Sequence, residues 1–139
     1  MITLVVGGGA LINLAVKQAI HRHRPVFQDP IATLTSYSFP SGHTMGSMLC
    51  YGLIAIVVVT NVRSWSAKVA AVIGAALIIT LIGFSRIYLG LHYLSDVLGA
   101  MAAGAAWLAL CVTAADTYRR RKEHRRNLNR EPFPVSRNT

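Results

Sequence analysis

Three short polar clusters interrupt a hydrophobic chain, and together they carry groups that can bind and cleave a phosphate ester. The clusters are Lys17 with Arg24-Pro25, then Pro40-Ser41-Gly42-His43, then Ser85-Arg86 with His92 and Asp96. Lysine and arginine bind phosphoryl oxygens, histidine can attack phosphorus or transfer a proton, and a carboxylate can orient an imidazole. These residue types predict a phosphate-binding catalytic site, provided that the fold brings the clusters together.

The first cluster predicts two cations on one face of a helix. Lys17 and Arg24 are seven residues apart, close to two helical turns, and His21 lies between them at i+4 from Lys17. Pro25 disfavours further helix through Arg24. A single cation near the end of a membrane span commonly reaches to the interface, but two cations on one stripe favour a bound anion.

The second cluster predicts the start of a long apolar helix. Ser41 is suited to cap this helix, with Gly42 and His43 in its first turn. Free backbone N–H groups and the positive end of the helix dipole attract an oxyanion, and a glycine lets the backbone approach a ligand closely. A capping serine would explain Ser41-Gly42 structurally, whereas His43 has no obvious packing role.

The third cluster predicts an imidazole paired with a carboxylate. His92 and Asp96 are four residues apart, so on a helix the carboxylate can meet the ring and fix its tautomer. Gly90 offers a break between a span that ends at Arg86 and one that opens at His92. A purely structural hydrogen bond is the alternative, but paired ionisable groups at the end of a span favour a function.

Composition places these clusters in an integral membrane protein. The 139 residues are 53% hydrophobic with a mean hydropathy of +0.46. Apolar stretches over residues 1–20, 44–62, 67–84 and 93–115 approach the ~20 residues that a helix needs to cross a bilayer. The predicted fold is an all-α bundle of about four transmembrane helices. A soluble bundle would show polar helix faces, which stretches 53–59 and 70–82 lack.

The basic residues predict orientation and domain organisation. Eight of the 14 Lys and Arg residues follow Tyr118, and the second inter-span turn carries Arg63 and Lys68. The positive-inside rule makes both regions cytoplasmic, so both termini are cytoplasmic and the polar clusters share the opposite face. We predict a membrane domain over residues 1–118 and a basic, disordered tail over 119–139. The net charge of +9 predicts attraction to the membrane rather than a nucleic-acid partner.

In order and spacing, the clusters resemble the three-part signature of the type 2 phosphatidic acid phosphatase (PAP2) superfamily. That signature reads K-x6-R-P, then P-S-G-H, then S-R-x5-H-x3-D, and this sequence fills every position from Lys17 to Asp96. The resemblance points to the membrane lipid-phosphatase branch. Members of that branch commonly have six spans, so the resemblance implies that the first two spans are missing here.

The resemblance implies a metal-independent phosphatase that works through a phosphohistidine. His92 would attack phosphorus, Asp96 would orient its ring, and His43 would protonate the leaving oxygen and then activate water. The groups that would bind the phosphoryl oxygens are Lys17, Arg24, Ser41, Gly42 and Arg86. Supporting positions are His21, Pro25, Pro40 and Ser85. The expected site contains no metal and no other cofactor.

The implied substrate is a lipid phosphate on the outer face of a bacterial plasma membrane. Candidates are phosphatidic acid, phosphatidylglycerol phosphate, diacylglycerol pyrophosphate and undecaprenyl diphosphate. A metal-dependent membrane hydrolase remains an alternative, although the spacing of the histidines matches no familiar zinc pattern and the cations would repel a metal. A non-catalytic, truncated membrane binding or scaffold protein is the other alternative. A homo-oligomer is compatible with each of these interpretations.

Overall fold

The computed structural model describes residues 2–25 and 36–128, and these residues form helices and no strand. The helices are α1 (Ile2–Ile20), α2 (Gly42–Asn61), α3 (Trp65–Tyr88) and α4 (Leu94–Leu128). All four are long and apolar enough to cross a membrane, judged by length and composition. The predicted all-α membrane bundle is confirmed, and each predicted span overlaps one of these helices.

Large apolar side chains lie on the outside of the helices. Leu11 is 69% exposed, Leu77 is 59% exposed and Leu81 is 64% exposed. An aqueous solvent would make such a surface unfavourable, because apolar area in contact with water costs free energy. Hydrocarbon imposes no such cost, so this distribution fits helices that face lipid and disfavours the soluble bundle.

Small residues let the helices approach one another closely. A Cβ at Gly83 of α3 would lie 2.7 Å from Cγ1 of Val97 in α4, so the absence of a side chain there allows the contact. Near the other end of this contact region, the indole Nε1 of Trp107 in α4 donates to the Val5 carbonyl of α1 at 2.9 Å. Helix α2 packs along α3 and also contacts α1.

The end of α1 differs from the sequence prediction. The helix stops at Ile20, and His21 has a positive φ of 50°. The His21 N–H donates to the Lys17 carbonyl at 3.2 Å, and a residue in the left-handed region at this position ends a helix. Arg24 therefore lies beyond α1, so the prediction that Lys17 and Arg24 share one helical stripe is wrong.

The connection between α3 and α4 contains the predicted break at Gly90, whose φ is 68°. Helix α3 continues to Tyr88, with Arg86 in its last turn, and α4 begins at Leu94. His92 consequently lies in the turn and not on a helix, which corrects the prediction of an i,i+4 pair within one helix. The pair still forms, because the turn folds back against the first turn of α4.

The chain divides by its contacts into two units, with the boundary after Leu108 inside α4. In the second unit α4 continues to Leu128, so residues 119–128 are helical and the predicted disorder is wrong there. Arg120 Nε bonds to Asp116 Oδ2 at 2.8 Å, an i,i+4 pair among strong helix formers. The domain boundary at residue 118 stays a prediction, and residues 129–139 lie outside the described residues.

Candidate active site

The start of α4 fixes the direction of the Asp96 carboxylate. Asp96 is the third residue of the helix, and its Oδ2 accepts the Tyr93 N–H at 2.9 Å. The side chain thereby caps the helix in the manner of one half of a capping box. The same Oδ2 lies 3.5 Å from Nδ1 of His92, and both side chains are buried. The carboxylate therefore faces one nitrogen of the imidazole.

Arg24 faces the opposite nitrogen of the His92 ring. Its Nη1 lies 3.5 Å from His92 Nε2 and donates to the Leu91 carbonyl at 2.7 Å. An arginine can only donate hydrogen bonds, so Nε2 presents its lone pair and the ring proton belongs on Nδ1, toward Asp96. The 3.5 Å contact between Nδ1 and Asp96 Oδ2 does not have hydrogen-bond geometry, and Nδ1 has no hydrogen-bond partner among the described residues.

The charge state of His92 follows from the same surroundings. Burial of the ring is the largest effect that lowers the pKa of His92, and the Arg24 guanidinium lowers it further, while the Asp96 carboxylate raises it. The net lowering keeps the imidazole neutral at neutral pH. A neutral ring with its lone pair on Nε2 is the form that can act as a nucleophile.

The two cations of the first cluster meet at the backbone of Ser36 and Tyr37. Lys17 Nζ donates to the Tyr37 carbonyl at 2.6 Å, and Arg24 Nε donates to the Ser36 carbonyl at 2.7 Å. The ring of His21 packs edge-on against the Tyr37 ring, with 4.5 Å between the centroids. Segment 36–37 thus gathers Lys17 and Arg24 although they do not share a helix.

The second cluster joins the site through the backbone of Ser41. Its N–H donates to the Asp96 carbonyl at 3.1 Å, which ties the start of α2 to the start of α4. Ser41 occupies the N-cap position, but its side chain makes no capping hydrogen bond and instead accepts one from Thr44 Oγ1 at 3.0 Å. The predicted capping by the hydroxyl is therefore wrong, and Gly42 and His43 begin α2 as exposed residues.

The remaining signature residues lie at the predicted helix ends, and the hydrogen bonds known for the Ser85 and Arg86 side chains are made within α3 itself. Ser85 Oγ donates to the Ile82 carbonyl at 2.7 Å, and Arg86 Nε donates to Ser85 Oγ at 3.3 Å. Within residues 2–25 and 36–128, no side-chain hydrogen bond or ion pair joins Arg86 or His43 to His92. Two further signature positions are Pro25, which follows Arg24 directly, and Pro40, whose carbonyl accepts a 3.5 Å hydrogen bond from Asn13.

Arg22 is a site residue that the signature does not include. Its Nη1 lies 2.8 Å from Asp96 Oδ1 and donates to Ser95 Oγ at 2.7 Å, and its guanidinium carbon lies 4.4 Å from the centroid of the Tyr93 ring. The sequence offered one signal for Arg22, a cation at a helix end that the positive-inside rule does not explain. Its partner lies 74 positions away and could not be identified from spacing.

A cavity of about 500 Å³ opens beside the cations. Polar and charged side chains form most of its wall, and the lining residues are Leu14, Lys17, Gln18, Arg22, His23, Arg24, Ser36 and Tyr37. The cavity is large enough for a phosphorylated headgroup, and Lys17 and Arg24 give it a positive wall.

The histidines do not assemble a metal centre within the part of the chain that the structure describes. No group of three or more His, Cys, Asp or Glu side chains there is arranged to hold a metal ion. The charged groups that face the two ring nitrogens of His92 are instead Arg24 and Asp96, and a guanidinium would repel a cation. The donor set therefore gives no support to the metal-dependent alternative.

Known proteins are similar to this chain in sequence and in fold. The model of the PAP2 superfamily matches residues 1–120. The chain is 40% identical over 105 residues to phosphatidylglycerophosphatase B of Bacillus subtilis (strain 168), which covers 75% of this chain and 51% of that protein. It is 32% identical over 79 residues to lipid phosphate phosphatase delta of Arabidopsis thaliana, covering 55% of this chain and 19% of that protein.

A solved structure shows the same architecture. It is the crystal structure of the first transmembrane PAP2 type phosphatidylglycerolphosphate phosphatase from Bacillus subtilis, which superposes with a TM-score of 0.75 at 37% sequence identity. The match covers 84% of this chain and 58% of that chain. This chain thus spans little more than half the length of its bacterial relative. The match over residues 1–120, together with the assembled signature, shows that the chain belongs to the PAP2 superfamily.

Proposed function

We propose that the chain hydrolyses a phosphate ester or diphosphate of a membrane lipid through a phosphohistidine at His92. The arrangement around that ring carries the proposal, because its Nε2 faces a guanidinium and its Nδ1 faces a carboxylate. A nucleophile placed beside a cation lies where an anionic phosphoryl group will bind. Membership of the PAP2 superfamily and the similarity to two lipid phosphatases support the same chemistry.

The first chemical step forms a bond between His92 Nε2 and phosphorus. The ester bond between phosphorus and the leaving oxygen breaks, and His43 donates a proton to that oxygen. The imidazole becomes positively charged as the bond forms, and the Asp96 carboxylate beside Nδ1 stabilises that charge. Attack requires a neutral His92, which the lowered pKa of this buried ring provides.

The second step releases inorganic phosphate. His43, now neutral, takes a proton from water as the water oxygen attacks phosphorus, and the Nε2–phosphorus bond breaks to restore the neutral His92 ring. His43 is exposed at the start of α2, and among the described residues its side chain forms no hydrogen bond or ion pair with another group of the site. In the proposed mechanism the bound substrate therefore brings its leaving oxygen to His43. His43 donates a proton to that oxygen in the first step and accepts a proton from water in the second.

Binding of the phosphoryl group exchanges one set of hydrogen bonds for another. Lys17 and Arg24 now donate to the carbonyls of Tyr37 and Ser36, and phosphoryl oxygens can take over these charge-assisted bonds. The Gly42 N–H at the start of α2 adds a backbone donor, and Ser41 and Arg86 complete the predicted set. Such a set stabilises the negative charge that spreads over the phosphoryl oxygens in the transition state.

The lipid class and the side of the membrane are further parts of the proposal. Among the candidate substrates, phosphatidylglycerol phosphate is favoured because the bacterial relative is named as a phosphatase of that lipid. The site lies at the end of the bundle opposite Arg63 in the α2–α3 turn and Lys68 in the first turn of α3, so the positive-inside rule favours the extracytoplasmic face for the site. The lipid headgroup can reach it there without crossing the bilayer.

Phosphate release from a panel of lipid phosphates tests the proposal. The full chain in lipid or detergent is expected to release phosphate in the presence of a chelator, and His92→Ala and His43→Ala are expected to lose most of that activity. His124→Ala is the matched control, because His124 is an exposed residue far along α4. Undiminished turnover in the His92 and His43 variants would contradict the proposal, as would turnover that requires added zinc.

A further inference from the structure

Arg22 is bound to the buried carboxylate of Asp96 and not to the ring that reacts. The Asp96 side chain has no exposed area, and its two oxygens have different neighbours. Oδ2 accepts the Tyr93 N–H and faces His92, while Oδ1 bonds to Arg22 Nη1 at 2.8 Å. A buried carboxylate without a cationic partner is strongly unfavourable. The ion pair with Arg22 therefore stabilises the Asp96 side chain in its buried position.

The position of Arg22 is itself held by two further contacts. The Nη1 atom that bonds to Asp96 also donates to Ser95 Oγ at 2.7 Å, and the guanidinium stacks over Tyr93. These contacts come from the first turn of α4 and from the turn before it. Arg22 therefore connects the segment after α1 to the start of α4, at the residue that orients His92.

We propose that Arg22 is a positioning residue that acts through Asp96. It holds Oδ1, so that Oδ2 stays turned toward His92 Nδ1 and the opposite nitrogen stays aimed at the phosphoryl group. This inference rests on the proposed function of the site. The role differs from that of Lys17 and Arg24, which donate to the carbonyls that a phosphate would replace.

The competing role for Arg22 is direct binding of substrate. Its side chain is 37% exposed and lines the same cavity as Lys17 and Arg24. A residue that binds the phosphoryl group acts independently of Asp96, so the effects of removing both would multiply. A residue that acts through Asp96 has nothing left to do once that carboxylate is gone. A double-mutant cycle separates the two roles.

The cycle compares Arg22→Gln, Asp96→Asn and the double variant by steady-state kinetics on a lipid phosphate. We expect Arg22→Gln to lower kcat by roughly 10- to 100-fold, as for outer partners of metal-bound histidines, with little change in KM. The double variant is expected to be no slower than Asp96→Asn alone. Arg120→Gln is the matched control and should keep most of the activity, because it breaks an exposed arginine–aspartate pair that has no part in the proposed site.

Conservative substitution and chemical rescue give a second, independent measurement. Both hydrogen bonds of Arg22 come from one nitrogen, so the ammonium of Arg22→Lys can replace them in part. Arg22→Lys is expected to keep more kcat than Arg22→Gln. Added guanidinium at millimolar concentration should raise the kcat of Arg22→Ala and leave Arg22→Ala/Asp96→Asn unchanged.

The outcomes separate this inference from the proposed function. Wild-type protein that releases no phosphate, or a His92→Ala variant as active as wild type, would overturn the function and the role of Arg22 with it. If the wild-type protein releases phosphate and His92→Ala does not, multiplicative losses of activity in the double-mutant cycle would overturn the role of Arg22 alone. A raised KM with unchanged kcat in Arg22→Gln would do the same, because it would assign Arg22 to substrate binding.

Discussion

In the proposed mechanism, the imidazole of His92 has to be neutral before it attacks phosphorus and cationic afterwards. Different groups around the ring stabilise its neutral and its cationic state. Burial and Arg24 at the Nε2 side favour the neutral ring, whereas Asp96 at the Nδ1 side favours the charged one. In the proposed mechanism the phosphoryl group draws Arg24 away from Nε2, so the influence of Asp96 grows at the moment when the ring becomes cationic.

The pKa of His92 gives a prediction with a definite sign. Because this pKa is lowered from its ordinary value of 6.5, activity should persist below pH 6.5 and fall only as the pH drops through the lowered value. Replacing Arg24 with Gln removes a cation that disfavours the protonated ring, so the pKa of His92 should rise. A histidine NMR titration of the resting protein measures this shift without relying on turnover.

The control for that titration is Lys68→Gln, which removes a cation in the first turn of α3. It should leave the pKa of His92 unchanged, because Lys68 lies at the opposite end of α3 from the site. Salt screens exposed charges that are more than about 10 Å apart. An unchanged or lowered pKa in Arg24→Gln would contradict the prediction and would mean that Arg24 does not control the charge of the ring.

Residue types and spacing predicted His92, Asp96 and the cations as site residues, but most of the contacts among them could not be predicted. The pairing of His92 with Asp96 is local, so it could be inferred from four residues of sequence. The ion pair between Arg22 and Asp96 joins residues 74 positions apart, and only the packing of the helices determines it. The sequence marks Arg22 only as a cation that the positive-inside rule does not explain, and no sequence pattern identifies it as the partner of Asp96.

At the scale of the helices, hydrophobic length predicted the elements and local turn chemistry set their ends. Each apolar stretch was long enough to span a bilayer, which leaves the backbone few alternatives to a helix. The predicted helical stripe from Lys17 to Arg24 was wrong because His21 adopts a positive φ, which is uncommon for a residue other than glycine, and ends the helix. The break at Gly90 was predicted, because glycine adopts that conformation readily.

Close packing of α3 against α4 gives a prediction for stability. In Gly83→Ala the new Cβ would lie 2.7 Å from Val97 Cγ1, and such overpacking typically costs about 1–3 kcal/mol. Thermal unfolding in detergent should therefore occur at a lower temperature. Gly74→Ala in the same helix is the matched control, since no atom lies within 4 Å of its Cβ position, and it should be neutral or stabilising. Equal melting temperatures for the two variants would contradict close packing at Gly83.

For the whole molecule, the hydrophobic surface and the polar site are linked by one requirement. Lipid-facing side chains keep the helices in the bilayer, while the phosphate of the proposed substrate would stay at the aqueous edge because a charge in hydrocarbon is costly. Ser41 and Asp96 join the starts of α2 and α4, and Lys17 lies in the last turn of α1. The site therefore lies at an end of the bundle, where a headgroup can enter while its acyl chains remain in the membrane.

The side of the membrane on which this end lies can be measured by thiol labelling. We expect a cysteine at His23 to react with a membrane-impermeant maleimide added to intact cells, because the cations of the α2–α3 turn should hold the opposite end in the cytoplasm. A cysteine at Ser66, in the first turn of α3 at the opposite end of the bundle, should react only after the membrane is opened. Cys50 and Cys111 lie inside α2 and α4 and are first replaced by alanine. The reverse labelling pattern would put the site in the cytoplasm, and its substrate would then have to be a lipid phosphate of the inner leaflet.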